Sequence, residues 1–198
     1  MHSVAARVIR TRGILAVVAA IMIGPVSATS AAVVSYIASL DGPSESPPVA
    51  SSGIGSAQVD IDAVAHTMRV RASFAGLTGN STNSHIHAPT AVAGAGTIGV
   101  ATTTPTFPGF PSGVTFGIYD YTFDMTLASS YNAAFVTANG GAPALAEAAL
   151  FQAIADGKAY YNIHSSFASG GEIRGFLQPL DPTPTNPATW GRIKSLYR

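Results

Sequence analysis

Thr67-Met68-Arg69-Val70-Arg71-Ala72-Ser73-Phe74 is the stretch that decides the fold. Met68, Val70, Ala72 and Phe74 alternate with Thr67, Arg69, Arg71 and Ser73, and side chains that alternate along an extended chain divide into an apolar and a polar face. The segment is therefore a strand with one face on a core and the other in water, and it stops at Gly76. Upstream, Gly55 to Ile61 alternates more weakly and is expected to pair with it across the turn Asp62-Ala63-Val64-Ala65. Before that, Ala32 to Leu40 is rich in Val, Ile and Tyr, stops at Asp41-Gly42-Pro43, and gives way to a Pro/Ser-rich loop, Pro43 to Ser52. Downstream, Phe116 to Leu127 reads as an aromatic-rich strand after the loop Thr102 to Gly113, which Pro105, Pro108 and Pro111 keep out of regular structure. Ala159 to Ile163 and Glu172 to Leu177 are the last strands, joined by the Ser/Gly-rich Ser165 to Gly171. The departure from this rhythm is Pro143 to Lys158, where Leu145, Ala148, Ala149, Phe151, Gln152 and Ile154 fall at helical spacing and Gly157 supplies the stop. A short helix over Ser130 to Ala138 precedes it. The sum predicts an all-β fold, an antiparallel Greek-key β-sandwich with one inserted helix.

Composition narrows the function classes. The chain has 198 residues, 47% hydrophobic and 10% charged, with 20 Gly and 13 Pro, which suits one globular domain with tails and excludes a coiled coil or a wholly disordered chain. Ten basic residues balance ten acidic ones without a basic patch, which argues against nucleic acid as a partner. There is no cysteine, hence no disulfide, no thiolate nucleophile and no Cys-type zinc site. At the N-terminus Arg7, Arg10 and Arg12 precede an apolar run from Ile14 to Gly24 and then Val26-Ser27-Ala28. That layout reads as a signal peptide over residues 1–28, too short to span a bilayer, so the product is expected to be secreted, periplasmic or in the cell envelope. No further apolar run is long enough for a transmembrane span. After the domain, expected over 33–179, come a proline-rich linker at 180–188 and a tail at 189–198. In the tail Trp190, Ile193 and Tyr197 share one side, with Arg192, Lys194 and Arg198 between them. A docking role for it points to an envelope or extracellular protein as partner; the sequence names none and does not fix an oligomeric state.

The histidines carry the chemistry. His2 leaves with the leader and His66 sits at a turn, where a solvated side chain is expected. His85 and His87 bracket Ile86, and in a strand residues i and i+2 project from one face about 7 Å apart. His164 ends the strand Tyr160-Tyr161-Asn162-Ile163-His164 with Asn162 on its face. Three imidazoles brought together by strand pairing would suit copper or zinc, with affinity falling as pH drops through the histidine range near about 6.5. Spacing alone leaves a second reading open, in which a His-Ile-His strand shows a polar face to water.

Other chemistry is thin. Glu172 and Arg174 share a strand face and read as a charge pair, available as neighbours to the histidines. Asp60, Asp62, Asp120 and Asp124 read as solvated strand ends. Gly94-Ala95-Gly96-Thr97-Ile98-Gly99 spells G-x-G-x-x-G but runs into Val100 to Pro105, which supplies no helix for a pyrophosphate. Tyr119, Tyr121, Phe123, Tyr160 and Tyr161 read as core and sheet-face aromatics. No Gly-x-Ser-x-Gly elbow appears, and no catalytic residues are assigned.

His85-Ile86-His87-Ala88-Pro89, and Tyr160-Tyr161-Asn162-Ile163-His164 followed by Gly170-Gly171-Glu172-Ile173-Arg174-Gly175-Phe176-Leu177, resemble the two signature blocks of the chordin-domain (CHRD) family. Leu40-Asp41-Gly42, Ser46-Pro47-Pro48-Val49 and Phe74-Ala75-Gly76-Leu77-Thr78-Gly79 fit the same pattern, so the resemblance covers about Val33 to Pro179. The sequence departs from the family at Ala88, Ile163 and Ser165 and in a longer Thr102 to Ala142 segment. The resemblance implies a module of secreted proteins whose biochemical role is undefined. The order His-x-His and then a strand-end His is also similar to the copper half of the copper/zinc superoxide dismutase site. That likeness implies a superoxide-dismutase-like sandwich, with an immunoglobulin-like one as the alternative, and a copper or zinc ion on His85, His87 and His164. It lacks the bridging histidine, the cysteine pair and the Asp-linked zinc loop of that enzyme. Three functional readings follow: a metal-binding CHRD protein, a non-metal structural or protein-binding module of the envelope, and a copper-dependent oxidoreductase.

Overall fold

A computed structural model describes residues 33–180; the expected signal peptide over 1–28, the expected linker beyond Leu180 and the expected tail lie outside the described residues. The chain runs β1 (Val34–Asp41), β2 (Ile54–Asp62), β3 (Thr67–Ala75), β4 (Ser81–His87), β5 (Gly117–Asp124), α1 (Ala133–Ala138), α2 (Pro143–Ala155), β6 (Tyr160–Ser165), β7 (Ile173–Phe176) and β8 (Gln178–Pro179). All paired strands are antiparallel, as the alternation required. They form one hydrogen-bonded path in the order β4-β6-β7-β1-β2-β3-β5, with β8 added beside β1. Consecutive strands β3 and β4 thus lie far apart in the sheet, and the chain crosses between its ends three times. The sheet curls about its apolar face. Phe107 shows the closure: its ring lies 5.1 Å from Phe123 of β5 and 5.9 Å from Tyr161 of β6.

The deciding stretch is β3, and its register with β2, from Ile54↔Ala75 to Asp62↔Thr67, is unbroken. Met68, Val70, Ala72 and Phe74 are buried. The turn between them is closed by Asp62, whose carboxylate accepts the amides of Val64 and Ala65. His66 is an exposed turn residue, as expected, but it is not idle. It takes a left-handed backbone (φ 53°), and its Nδ1 lies 2.9 Å from Glu147 on α2, which ties the turn to the helix. Asp120 is exposed, as expected, and accepts from Arg69, whereas Asp60 is largely covered and accepts from Ser35, Gln58 and Arg71. These are rungs of an outer-face ladder, and exposed pairs of this kind add little to stability.

Helix α2 opens on Pro143, which fits a first turn that needs no amide there, and buries Ala146, Glu147, Leu150, Ala153 and Ile154. Its stop is Gly157 at φ +67°, with Lys158 N–H reaching back to Ala153 O. The expected short helix is α1, capped by Asn132, whose side chain accepts Ala134 N–H. The proline-rich segment after residue 100 has no regular structure yet is not idle. It runs along the free side of β4: Ala101 N–H donates to Ile86 O and Phe107 N–H to Ser84 O, while Thr102 and Thr106 hydroxyls accept the amides of Ile86 and Ser84.

Candidate metal centre

Strand pairing puts the three histidines on one surface. Across β4 and β6, Asn83 faces His164, His85 faces Asn162 and His87 faces Tyr160; across β6 and β7, Asn162 faces Arg174 and Tyr160 faces Phe176. Directly paired residues of an antiparallel ladder share a face. His85, His87, Tyr160, Asn162, His164 and Arg174 therefore form one polar surface, and Ile86, Tyr161, Ile163 and Ile173 fill the core behind it. Loops roof the polar surface, so this part of the sheet is buried on both sides.

Each imidazole is oriented by a backbone carbonyl. His85 Nε2 lies 2.6 Å from Pro105 O, His87 Nδ1 2.8 Å from Ile98 O, and His164 Nδ1 2.8 Å from Ser169 O. A carbonyl only accepts, so these nitrogens carry the protons and the opposite nitrogens present lone pairs. Those are His85 Nδ1, His87 Nε2 and His164 Nε2. One ligand nitrogen from each ring lies within 4.8 Å of the others. His85 Nδ1 and His164 Nε2 are 3.4 Å apart, and His87 Nε2 is buried without any hydrogen-bond partner. Zinc–nitrogen bonds of about 2.0–2.1 Å place two ligands of one ion roughly 3.3–3.6 Å apart, so the His85–His164 spacing already suits an ion and His87 needs only a small approach. Burial, more than the neighbouring imidazoles, pushes His85 and His87 down to about 4 and lowers His164 as well. The three rings are neutral at pH 7, as ligands must be.

A family model described as the CHRD domain matches residues 36–177. The chain belongs to the CHRD domain family. Neither the curated proteins nor the solved structures hold a match to it. The CHRD domain here thus carries the two signature blocks on adjacent strands, β4 and β6, with the second continuing into β7.

Within this CHRD domain the sequence-based expectations for the neighbouring residues divide. Asn162 lies where expected, beside His85. Glu172 and Arg174 do not pair with each other. Glu172 is fully buried and accepts from Ser51 and Ser165 hydroxyls and from Thr78 and Gly79 amides. Burial alone would raise its pKa, but these four donors outweigh it and hold the carboxyl below its ordinary value. Arg174 instead donates to Ser44 O and Gly96 O and lies 4.7 Å over the ring of Tyr160, which stacks on His87 at 4.7 Å. The glycine-rich stretch that failed as a phosphate loop has found another use: its carbonyls at Gly96 and Ile98 position Arg174 and His87.

Sequence reasoning missed Glu45. Its loop folds over the polar surface, and its Oε2 lies 3.7 Å from Arg174 Nε and 3.5 Å from Asn162 Nδ2. Gly171, at φ +132°, leaves the room: a Cβ there would fall 2.7 Å from Glu45 Oε1 and 2.5 Å from Asn162 Nδ2. A glutamate in a Pro/Ser-rich loop carries no periodic signal, so nothing local marked it.

Proposed function

We propose that this CHRD-domain protein is exported and holds a single copper or zinc ion on His85, His87 and His164. The observation that carries the reading is the set of three outward N–H groups bonded to Pro105, Ile98 and Ser169 carbonyls, which turns three lone pairs toward one point. Lone pairs with no donor between them are costly to bury, and a cation satisfies all three at once. Neutral imidazole suits copper and zinc, and the carbonyls do for these rings what outer partners do in known metal sites. When bound, the ion would supply a Lewis-acidic or redox-active centre with a position left for an outside ligand. The basic-then-apolar layout of residues 1–28 supports a place outside the cytoplasm, and among the described residues no helix is long and apolar enough to cross a membrane. The test is calorimetry with Zn(II), Cu(II) and Cu(I) on the metal-stripped protein. One equivalent should bind, and His164→Ala should weaken binding sharply. Affinity no better than that of a surface histidine, or unchanged in His164→Ala, would leave a non-metal binding module as the function.

A further inference from the structure

The two ends of the sheet are finished differently. On β4 the outward backbone groups of Ser81, Ser84 and Ile86 are all bonded by the segment that runs from Ala101 to Val114. On β5 nothing of the kind happens. Among the described residues, no group outside β3 bonds to the backbone of Gly117–Phe123. A row of unpaired amides and carbonyls is a template for another strand, and natural edges are usually blunted by Lys, Pro, a bulge or a covering loop. Gly117–Asp124 contains no Lys and no Pro, and its register with β3 is continuous.

The side chains at this edge point the same way. Phe116 is 70% exposed, Ile118 84% and Ile54 64%, on the outer face where β2 and β3 carry Ser56, Gln58, Ser73 and Arg71. Together they wall a shallow groove of about 660 Å³ floored by Ser56 and Ser73. Tyr121, at the rim of the inner face, is 40% exposed. The charges nearby are already matched, since Asp120 is bonded by Arg69 and Asp60 by Arg71. An apolar, charge-matched edge repels neither itself nor water-excluding contact.

We infer that β5 is a dimer interface, at which two copies of this chain add their β5 strands antiparallel about a two-fold axis near Ile118. The occupant is argued from the edge itself. An extended strand is what a free edge templates, and the same strand of a second copy brings an identical free edge and the same Phe116 and Ile118. A two-fold at Ile118 therefore pairs Gly117–Tyr119 of the two edges and sets both Ile118 and both Phe116 side chains on one continuous outer face, which is the self-complementarity that an isologous contact requires. The side chains named above offer on the order of 500 Å² per protomer, at the lower bound for a specific interface, so the dimer is reversible. It does not involve the histidine face, which lies at the other end of the sheet.

Sedimentation of the full chain, as recovered from its producing host, should show a monomer–dimer equilibrium over the micromolar to millimolar range. Hydrogen exchange should show β5 amides gaining protection as concentration rises. Ile118→Lys should leave only monomer with the melting temperature of the monomer unchanged, and Phe116→Ser should weaken the dimer in the same direction. A chain that stays monomeric throughout overturns the inference. So does a dimer that survives Ile118→Lys, or one abolished by Trp190→Ala but not by Ile118→Lys, which would give the contact to the tail.

Discussion

The β2–β3–β5 half of the sheet and the β4–β6–β7 half are built by the same chain under opposite rules. In the first, one face is core and the other meets water, and β3 alternates buried and exposed residues along its length. In the second, Tyr160 to Ile163 and Ile173 to Gly175 are buried without a break, although Asn162 and Arg174 are among them. Polar groups under a roof must be bonded to something, because an unmet buried donor or acceptor costs more than most contacts return. The first half is therefore held by a one-sided apolar face, whereas the second must also satisfy polar groups and inward lone pairs under a roof.

The largest expected effect tests the first half. Phe74 is buried on β3 and stacks on Phe110 at 5.6 Å. Phe74→Ala should cost about 3–5 kcal/mol by chemical denaturation, whereas Thr122→Ala on the exposed side of β5 should stay within about 0.5 kcal/mol. Equal costs would break the contrast between the two faces. This half was legible beforehand, since side-chain alternation is a local signal and a one-residue slip would turn every apolar group to water. The β4–β6–β7 half was legible only in part. His85, His87 and His164 stood out by type and spacing, and the family blocks placed them together. Their carbonyl partners at Pro105, Ile98 and Ser169 did not stand out, because backbone oxygens leave no trace in a residue pattern.

Glu172 sharpens the rule for the second half. Four donors converge on it from the loop after β1, the turn after β3, and β6. Glu172→Gln keeps the volume but turns an amide N–H₂ toward donors, so the cost should be about 2–3 kcal/mol. A near-neutral result would mean that the Ser51, Thr78 and Ser165 segments hold their places without it.

The histidines give the two halves different responses to pH. Their folded-state values, about 4 for His85 and His87, lie below the ordinary value of about 6.5, so the unfolded chain takes up protons that the folded one refuses. Their contribution to stability is complete above about pH 6.5 and is lost as pH falls through about 4. Metal affinity should accordingly persist into mildly acid solution, below the window that free imidazole sets. Denaturation midpoints of the metal-free protein at pH 7 and pH 4.5 check this. A drop that is as large in the His85→Ala/His87→Ala variant would place the acid sensitivity elsewhere.

The smallest effect is expected at Glu45, and its size distinguishes two states of the same carboxyl. Glu45 Oε1 and Asn162 Oδ1 are both buried acceptors without a donor, while Asn162 Nδ2 faces Glu45 Oε2. Burial pushes the carboxyl up to about 7 in spite of Arg174 beside it. A raised folded-state value means that the folded protein keeps the proton longer than the unfolded chain does. The protonated pair then stabilises most at low pH, and that contribution is lost as pH rises through about 7. A neutral acid can donate to Asn162 Oδ1, and so can a glutamine amide. Glu45→Gln should therefore change stability by less than about 1 kcal/mol at pH 5 and should remove this fall between pH 5 and pH 8. Were Glu45 an ionised partner of Arg174 at pH 5, the same substitution would leave a buried guanidinium without its counter-charge, and the cost would approach the 3–5 kcal/mol typical of a broken buried pair. Urea midpoints of wild type and Glu45→Gln at the two pH values separate these outcomes.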